Sequence, residues 1–357
     1  MPSPLRLAAN PVQHFYRGGA RIADLRGFTA TTDHQPEEWV AATVGRFGDD
    51  RTGLAVTEDG QLLRDLVAAD PAGWLGAPAA GATRAGPADT GVLVKLLDAG
   101  QRLPVHAHPD RAFAASHLGC PYGKTEAWFV IDAEPGAAVH LGWTEDVDPA
   151  ELAVRRDEQD SAWLLSRMHR VPVRPGDAIL VPAGQVHAIG EGVFVVEAQE
   201  PTDFSILLEW SVTTSGREDS HLGLGFERAM TAVTHRVLGH DDLRALCRHV
   251  DPATTWESPR RALPSVADRF FRLDVLAPGT GATEPMPAGF AAVVVLEGDG
   301  ELVSDDHALG VAAGDLLAVP SAFGAWSVRG PVRLVATRPG TNWPGDLTTG
   351  LPTGVGR

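Results

Sequence analysis

The stretch Val173-Arg-Pro-Gly176-Asp-Ala-Ile-Leu-Val-Pro182-Ala-Gly184-Gln-Val-His187-Ala-Ile-Gly190 decides how this chain is read. Ala178 to Val181 is a short apolar run closed on both sides by Gly and Pro, which predicts a buried strand followed by a tight turn. His187 follows that turn, where the chain starts back.

Two upstream segments supply partners for that histidine. The first, Leu103-Pro-Val-His106-Ala-His108-Pro-Asp110, places two imidazoles two residues apart. In a strand such residues share a face, so His106 and His108 point into one cavity. The second, Gly123-Lys124-Thr125-Glu126-Ala-Trp-Phe-Val-Ile, opens a further apolar strand with a carboxylate, and Lys124 shares the face of Glu126. With 13 histidines in the chain, an isolated pair at this spacing arises by chance on exposed strands. The conjunction with Glu126 and His187 predicts a site for one divalent transition metal, with positions left open for substrate. Lys124, beside such an ion, is a candidate for proton transfer or substrate anchoring.

The spacing from Gly176 to His187 is similar to the second cupin motif. The wider pattern resembles the class I mannose-6-phosphate isomerases: Lys95-Leu-Leu-Asp-Ala, a ligand two residues before His108-Pro-Asp, Gly-Lys-Thr-Glu126-x-Trp, and Val-Pro-Ala-Gly-x-x-His187-Ala-Ile-Gly. The likeness is dense between about residues 91 and 200. Arg17-Gly-Gly and Pro36-Glu-Glu-Trp39 fall where that family carries Trp-Gly-Gly and Glu-x-Trp segments.

This resemblance implies a mainly β fold of two cupin-type jelly-roll barrels with short helical insertions, α+β overall. It implies metal ligation by His106, His108, Glu126 and His187, with Lys124 and Glu197 in catalytic roles. The implied ion is zinc, with iron or manganese as alternatives. The implied activity is isomerisation of mannose 6-phosphate, fructose 6-phosphate or a related sugar. Glu197 and Asp203 fall where the family has an acidic residue and then a Ser-Asp pair; Glu197 reads equally as a base or as a structural acceptor.

Three positions depart from the family pattern. His106 replaces a Gln, Pro104 replaces a Ser, and an aliphatic residue near Leu207 stands where an Arg is expected. An imidazole for an amide moves the ligand set toward that of cupin oxygenases and decarboxylases. Two other readings therefore stand beside the isomerase: an iron or manganese oxygenase, oxidase or decarboxylase, and a non-catalytic sugar-binding cupin.

Around this centre the chain divides into a metal-binding barrel over residues 1–215, with a helical insertion near 144–170, a helical linker over 216–262, and a second barrel over 263–357. Gly314-Asp-Leu-Leu-Ala-Val-Pro320 repeats the spacing of Gly176 to Pro182, but Ala325 stands where His187 would, and only the lone His307 precedes it. The repeat has lost its ligands. Residues 61–67 carry helical spacing ending near Asp70-Pro71, residues 77–90 read as a flexible loop, and residues 91–98 as a buried strand. Leu222 to Val250 reads as two helices broken near Gly239. Asp110 reads as a turn closer, and Trp128 and Phe129 as core. His169, His221, His235, His240 and His249 read as surface or capping residues.

The composition excludes other classes. The 357 residues suit two domains, and 44% hydrophobic content supplies their cores. A net charge of −16 disfavours nucleic acid and anionic membranes as partners and would repel a sugar phosphate unless local cations overcome it; a small sugar or sugar phosphate is the partner the resemblance implies. No targeting signal or membrane-length apolar run is visible, and two distant cysteines, Cys120 and Cys247, build no disulfide scaffold, so a cytoplasmic location is expected.

Overall fold

The computed structural model describes residues 2–78, 82–341 and 343. The fold is β-rich, with 32% strand and 18% helix, and its strands form three antiparallel sheets.

Two sheets build the first barrel. A seven-stranded sheet runs in the order Cys247–His249, Asp177–Val181, Glu126–Ala133, Val193–Gln199, Leu93–Asp98, Glu37–Val40 and Pro11–Val12. A five-stranded sheet runs Ile206–Leu207, His106–Ala107, His187–Ile189, Ala138–Trp143 and Met168–Pro172. The expected strands at Leu93–Asp98, Glu126–Ala133 and Asp177–Val181 are all present.

Register aligns the polar interior of this barrel. Trp39 pairs with Lys95, Lys95 with Glu197, and Glu197 with Trp128. Residues opposite one another in a sheet share a face, so these four form one row pointing inward. Glu37 and Glu126 lie two residues along their strands and face the same way.

The second barrel is an eight-stranded sheet centred on Ala291–Val303 and Val332–Pro339. Its interior is an apolar plug of Val293, Leu302, Leu317, Phe323, Trp326 and Leu334. Ala325 is exposed beside that plug. The first strand of the chain, Leu5–Arg6, belongs to this second sheet and pairs with Leu317 and Ala318. One apolar cluster runs through both barrels, joining Leu96, Phe129 and Val196 to Phe271, Leu273 and Val294.

The predicted insertion contains two helices, Pro149–Asp157 and Ser161–Ser166, capped by Asp148 and Asp160. Leu152 and Leu164 anchor them in a second apolar cluster. Asp70 caps Pro71–Leu75 as its Asp-Pro pair suggests, and Asp110 caps Arg111–His117. Part of the expected loop over residues 77–90, at 79–81, lies outside the described residues.

Two readings are corrected. The helices between Leu222 and Val250 are shorter than their spacing predicts: Phe226–Ala229 runs into a 3-10 turn at Met230–Ala232, and His240–Leu246 follows. Between them, Thr234 donates to the Gly184 carbonyl and Leu238 to the Trp143 carbonyl, so barrel strands take the hydrogen bonds a helix would need. His169 and His221 are buried rather than on the surface, although the His221 ring does cap, accepting from the Gly225 N–H at 3.2 Å. The His169 ring bonds the Leu238 carbonyl at 2.7 Å.

Candidate metal centre

His106 and His187 occupy neighbouring strands, and His108 follows two residues after His106. The rings of His106 and His187 have centroids 4.1 Å apart, with His108 at 4.9 and 4.7 Å from them. One ring nitrogen from each of the three lies within 4.8 Å of the others.

Backbone carbonyls fix which nitrogens these are. Nδ1 of His106 meets the Pro104 carbonyl at 2.8 Å, Nδ1 of His108 that of Phe204 at 2.6 Å, and Nδ1 of His187 that of Gln185 at 2.9 Å. A carbonyl only accepts, so each Nδ1 carries the proton and each Nε2 offers a lone pair. Burial holds His106 well below its ordinary value and His108 down at about 3, so these two rings are neutral at pH 7.

Glu126 closes the site from the opposite sheet. Its Oε2 is 2.9 Å from His108 Nε2, and its Oε1 is 3.3 Å from His187 Nε2. Burial pushes this carboxyl up, but Lys124 and the histidines outweigh it and hold Glu126 well below the usual carboxylate range. Lone pairs directed at a carboxylate repel it at these distances unless a cation sits among them. His187 Nε2 is buried without a hydrogen-bond partner among the described residues. Three imidazole nitrogens and one carboxylate, all oriented by their backs, fit a divalent transition metal. Lys124, also buried, sets Nζ 2.9 Å from Glu126 Oε2 and 3.0 Å from His108 Nε2.

Trp128 links this centre to a second carboxylate. Its indole N–H donates to Glu126 Oε1 at 3.1 Å and to Glu197 Oε2 at 3.2 Å. Burial and the charge of Glu126 push Glu197 up to about 8, against the pull of Lys124 and Lys95. Of the residues expected to be core, Trp128 is therefore also part of the site.

The residues sequence reasoning missed lie beyond Glu197. Lys95 Nζ is 3.1 Å from Asp203, 3.2 Å from Glu37 and 3.9 Å from Glu197, and stands 4.7 Å from the Trp39 ring centre. Burial opposes its charge, but Glu37, Asp203 and Glu197 outweigh burial and raise its pKa. Glu37 also accepts from the Tyr16 hydroxyl and the Trp39 indole. The signal was a single lysine inside the apolar run Val-Leu-Val-Lys95-Leu-Leu, since a buried lysine requires paired carboxylates. Tyr16, Glu37, Lys95, Glu197, Asp203 and His14 line a narrow cleft that reaches His106 and Lys124. Pro104 and Leu207 form part of its wall.

The comparisons agree with this geometry. No protein-family model matches the chain. It is 29% identical over 248 residues to mannose-6-phosphate isomerase of Streptococcus mutans, covering 69% of this chain and 73% of that protein. It is 25% identical over 246 residues to mannose-6-phosphate isomerase ManA of Bacillus subtilis, covering 67% and 72%. The crystal structure of mannose 6-phosphate isomerase from Bacillus subtilis superposes with a TM-score of 0.72 at 22% identity, covering 94% of this chain and 100% of that one. The apo form from Salmonella typhimurium gives 0.70 at 15% identity, covering 95% and 100%.

Fold and site together define a two-barrel cupin with a histidine-rich centre in one barrel and an apolar plug in the other. Within that class, the chain is similar in sequence and in fold to mannose-6-phosphate isomerases.

Proposed function

We propose that the protein is a metal-dependent aldose–ketose isomerase acting on mannose 6-phosphate or a related sugar. The observation that carries this reading is the orientation of three buried Nε2 lone pairs and Glu126 toward one point, beside a second carboxylate in an open cleft. His106, His108, Glu126 and His187 would hold the ion, with zinc proposed for this donor set. Bound there, it would supply Lewis-acid stabilisation of charge developing on substrate oxygens.

The reaction moves a proton between C1 and C2. Glu197, with its pKa near the working pH, is proposed as the base that removes that proton and returns it to the neighbouring carbon. Trp128 holds the carboxylate in place by its indole N–H. Lys124 is proposed to move the proton between the two substrate oxygens. Asp203, bonded to Lys95, is a structural acceptor in this scheme.

Elemental analysis of freshly purified protein, paired with a mannose/fructose interconversion assay on the free and 6-phosphorylated sugars, tests the reading. Zinc near one per chain with turnover supports it; no bound metal and no turnover overturns it. A second reading, redox cupin chemistry with iron or manganese, is favoured by the imidazole of His106 in the ligand set; iron near one per chain with oxygen consumption would select it.

With the first reading goes the division of the chain into a metal-binding barrel over 1–215, a linker over 216–262 and a metal-free barrel over 263–357. A cytoplasmic location goes with it too: Cys120 and Cys247 are free thiols, and no helix among the described residues is long and apolar enough to cross a membrane.

A further inference from the structure

The positive charges that line the cleft are already committed. Two lysines reach it, and both are engaged: Lys95 by Glu37 and Asp203, Lys124 by Glu126. Both are nearly inaccessible, at 2% and 4% exposure, so neither ammonium is free to swing toward an incoming anion. Four carboxyl groups, Glu37, Glu126, Glu197 and Asp203, surround those two cations, Glu197 largely protonated at pH 7 with its pKa raised to about 8.

Histidine adds no further cation. Burial lowers His14 to about 4 despite the nearby Glu37 and Asp203, so it is neutral at pH 7. No arginine lines the cleft among the described residues, where the wall is instead closed by Leu97, Leu103 and Leu207. Arg46, whose charge reaches His14, donates to the Gln13 carbonyl, and Arg17 and Arg102 lie beyond Phe15 in a separate surface groove. There both terminal nitrogens of Arg102 are held by Glu209 at 2.7 Å, and Arg17 donates to Gln101.

A phosphate monoester carries nearly two charges at pH 7 and is recognised by arginine forks, lysines or stacked backbone N–H groups. A sugar hydroxyl needs only single donors and acceptors, which this cleft presents in quantity. The buried Nδ1 of His14 has no hydrogen-bond partner among the described residues, and Glu37, Glu197 and Asp203 line the same cleft.

We infer that the cleft takes an unphosphorylated sugar, a neutral aldose or ketose, and discriminates against the phosphate ester of the same sugar. This narrows the substrate class of the proposed isomerase and rests on its site, while its test is a binding measurement that does not need turnover.

The experiment is calorimetric titration of the full chain with mannose, fructose and their 6-phosphates, alongside isomerisation assays on the same four compounds. The expected result is binding of a free sugar at least tenfold tighter than its phosphate. Ser205→Lys, which adds a cation at the half-buried rim, should narrow that ratio severalfold. Tighter binding of the phosphate by the unmodified protein overturns the inference, as does binding of neither form. Free sugar bound without turnover leaves the inference standing and removes the isomerase. Turnover restricted to the phosphates does the reverse.

Discussion

His106 and His187 are direct cross-strand partners, the sole residue pair joining their two strands. Partners opposite one another in an antiparallel pair share a face and bring their side chains together. The register of this short pairing therefore sets the distance between two of the three imidazoles. A slip of one residue would turn His187 to the other face of the sheet.

Deleting either His108 or His187 should abolish stable metal binding. Loss of a ligand exceeds the 10–100-fold cost of disturbing an outer partner, so His108→Ala and His187→Ala should each lose about 100-fold or more in affinity. His106→Gln should lose least, because an amide oxygen can replace one imidazole. Metal content after gel filtration, with competition against a chelating dye, measures all three.

Trp128→Phe keeps the ring in the core but removes the N–H shared by two carboxylates. The fold should persist at a cost of about 1–3 kcal/mol, the usual penalty for a buried acceptor left unsatisfied. Metal affinity should fall about 10–100-fold, since Glu126 loses its orienting donor. Urea denaturation and metal titration separate the two effects; unchanged metal affinity would remove Trp128 from the site.

Lys95→Met should be among the most destabilising single changes in the first barrel. It leaves Glu37 and Asp203 without the cation between them, and breaking a buried pair from one side costs about 3–5 kcal/mol. Adding Glu37→Gln should recover part of that loss. A double variant no more stable than Lys95→Met would mean the two residues are not energetically coupled.

Glu197→Gln should lower kcat by about 100- to 10,000-fold, the range for a lost general base, with metal content unchanged. In the unmodified protein kcat should rise as pH passes through about 8, where Glu197 loses its proton.

The same two cleft groups should leave opposite marks on stability. His14 titrates at about 4 in the folded protein against 6.5 ordinarily. Between those values the unfolded chain binds a proton the folded one does not, so stability falls as pH drops through that window. Glu197 is raised from 4.5 to about 8, so folding retains a proton there and stability falls as pH rises across that range. His14→Leu should flatten the acid-side slope, and Glu197→Gln the alkaline-side one, in melts recorded from pH 4 to 9.

The histidine cluster was legible because local rules place it. Period-two spacing fixes His106 and His108 on one face, and the Gly-Pro turn fixes the return of the chain at His187. Asp110, Asp148 and Asp160 likewise sit where capping chemistry puts them. The Lys95 cluster was not legible, because its members come from segments 58 and 108 residues from the lysine and meet only through sheet register. The short helices after Leu222 failed for a related reason: their apolar spacing was right for burial, but barrel carbonyls claimed the backbone.

The first strand of the chain lies in the second barrel, and the consequence reaches the cleft. Leu5–Arg6 is laced to Leu317 and Ala318, and Arg26 ties the carbonyls of Leu7 and Gly314 together. His14 and Tyr16, which wall the cleft, follow that mooring within ten residues of Arg6. The barrel without the histidine cluster is thus a quay for the one that carries it. Severed from it, the histidine-bearing half would retain its donors while one bank of the basin they face came adrift.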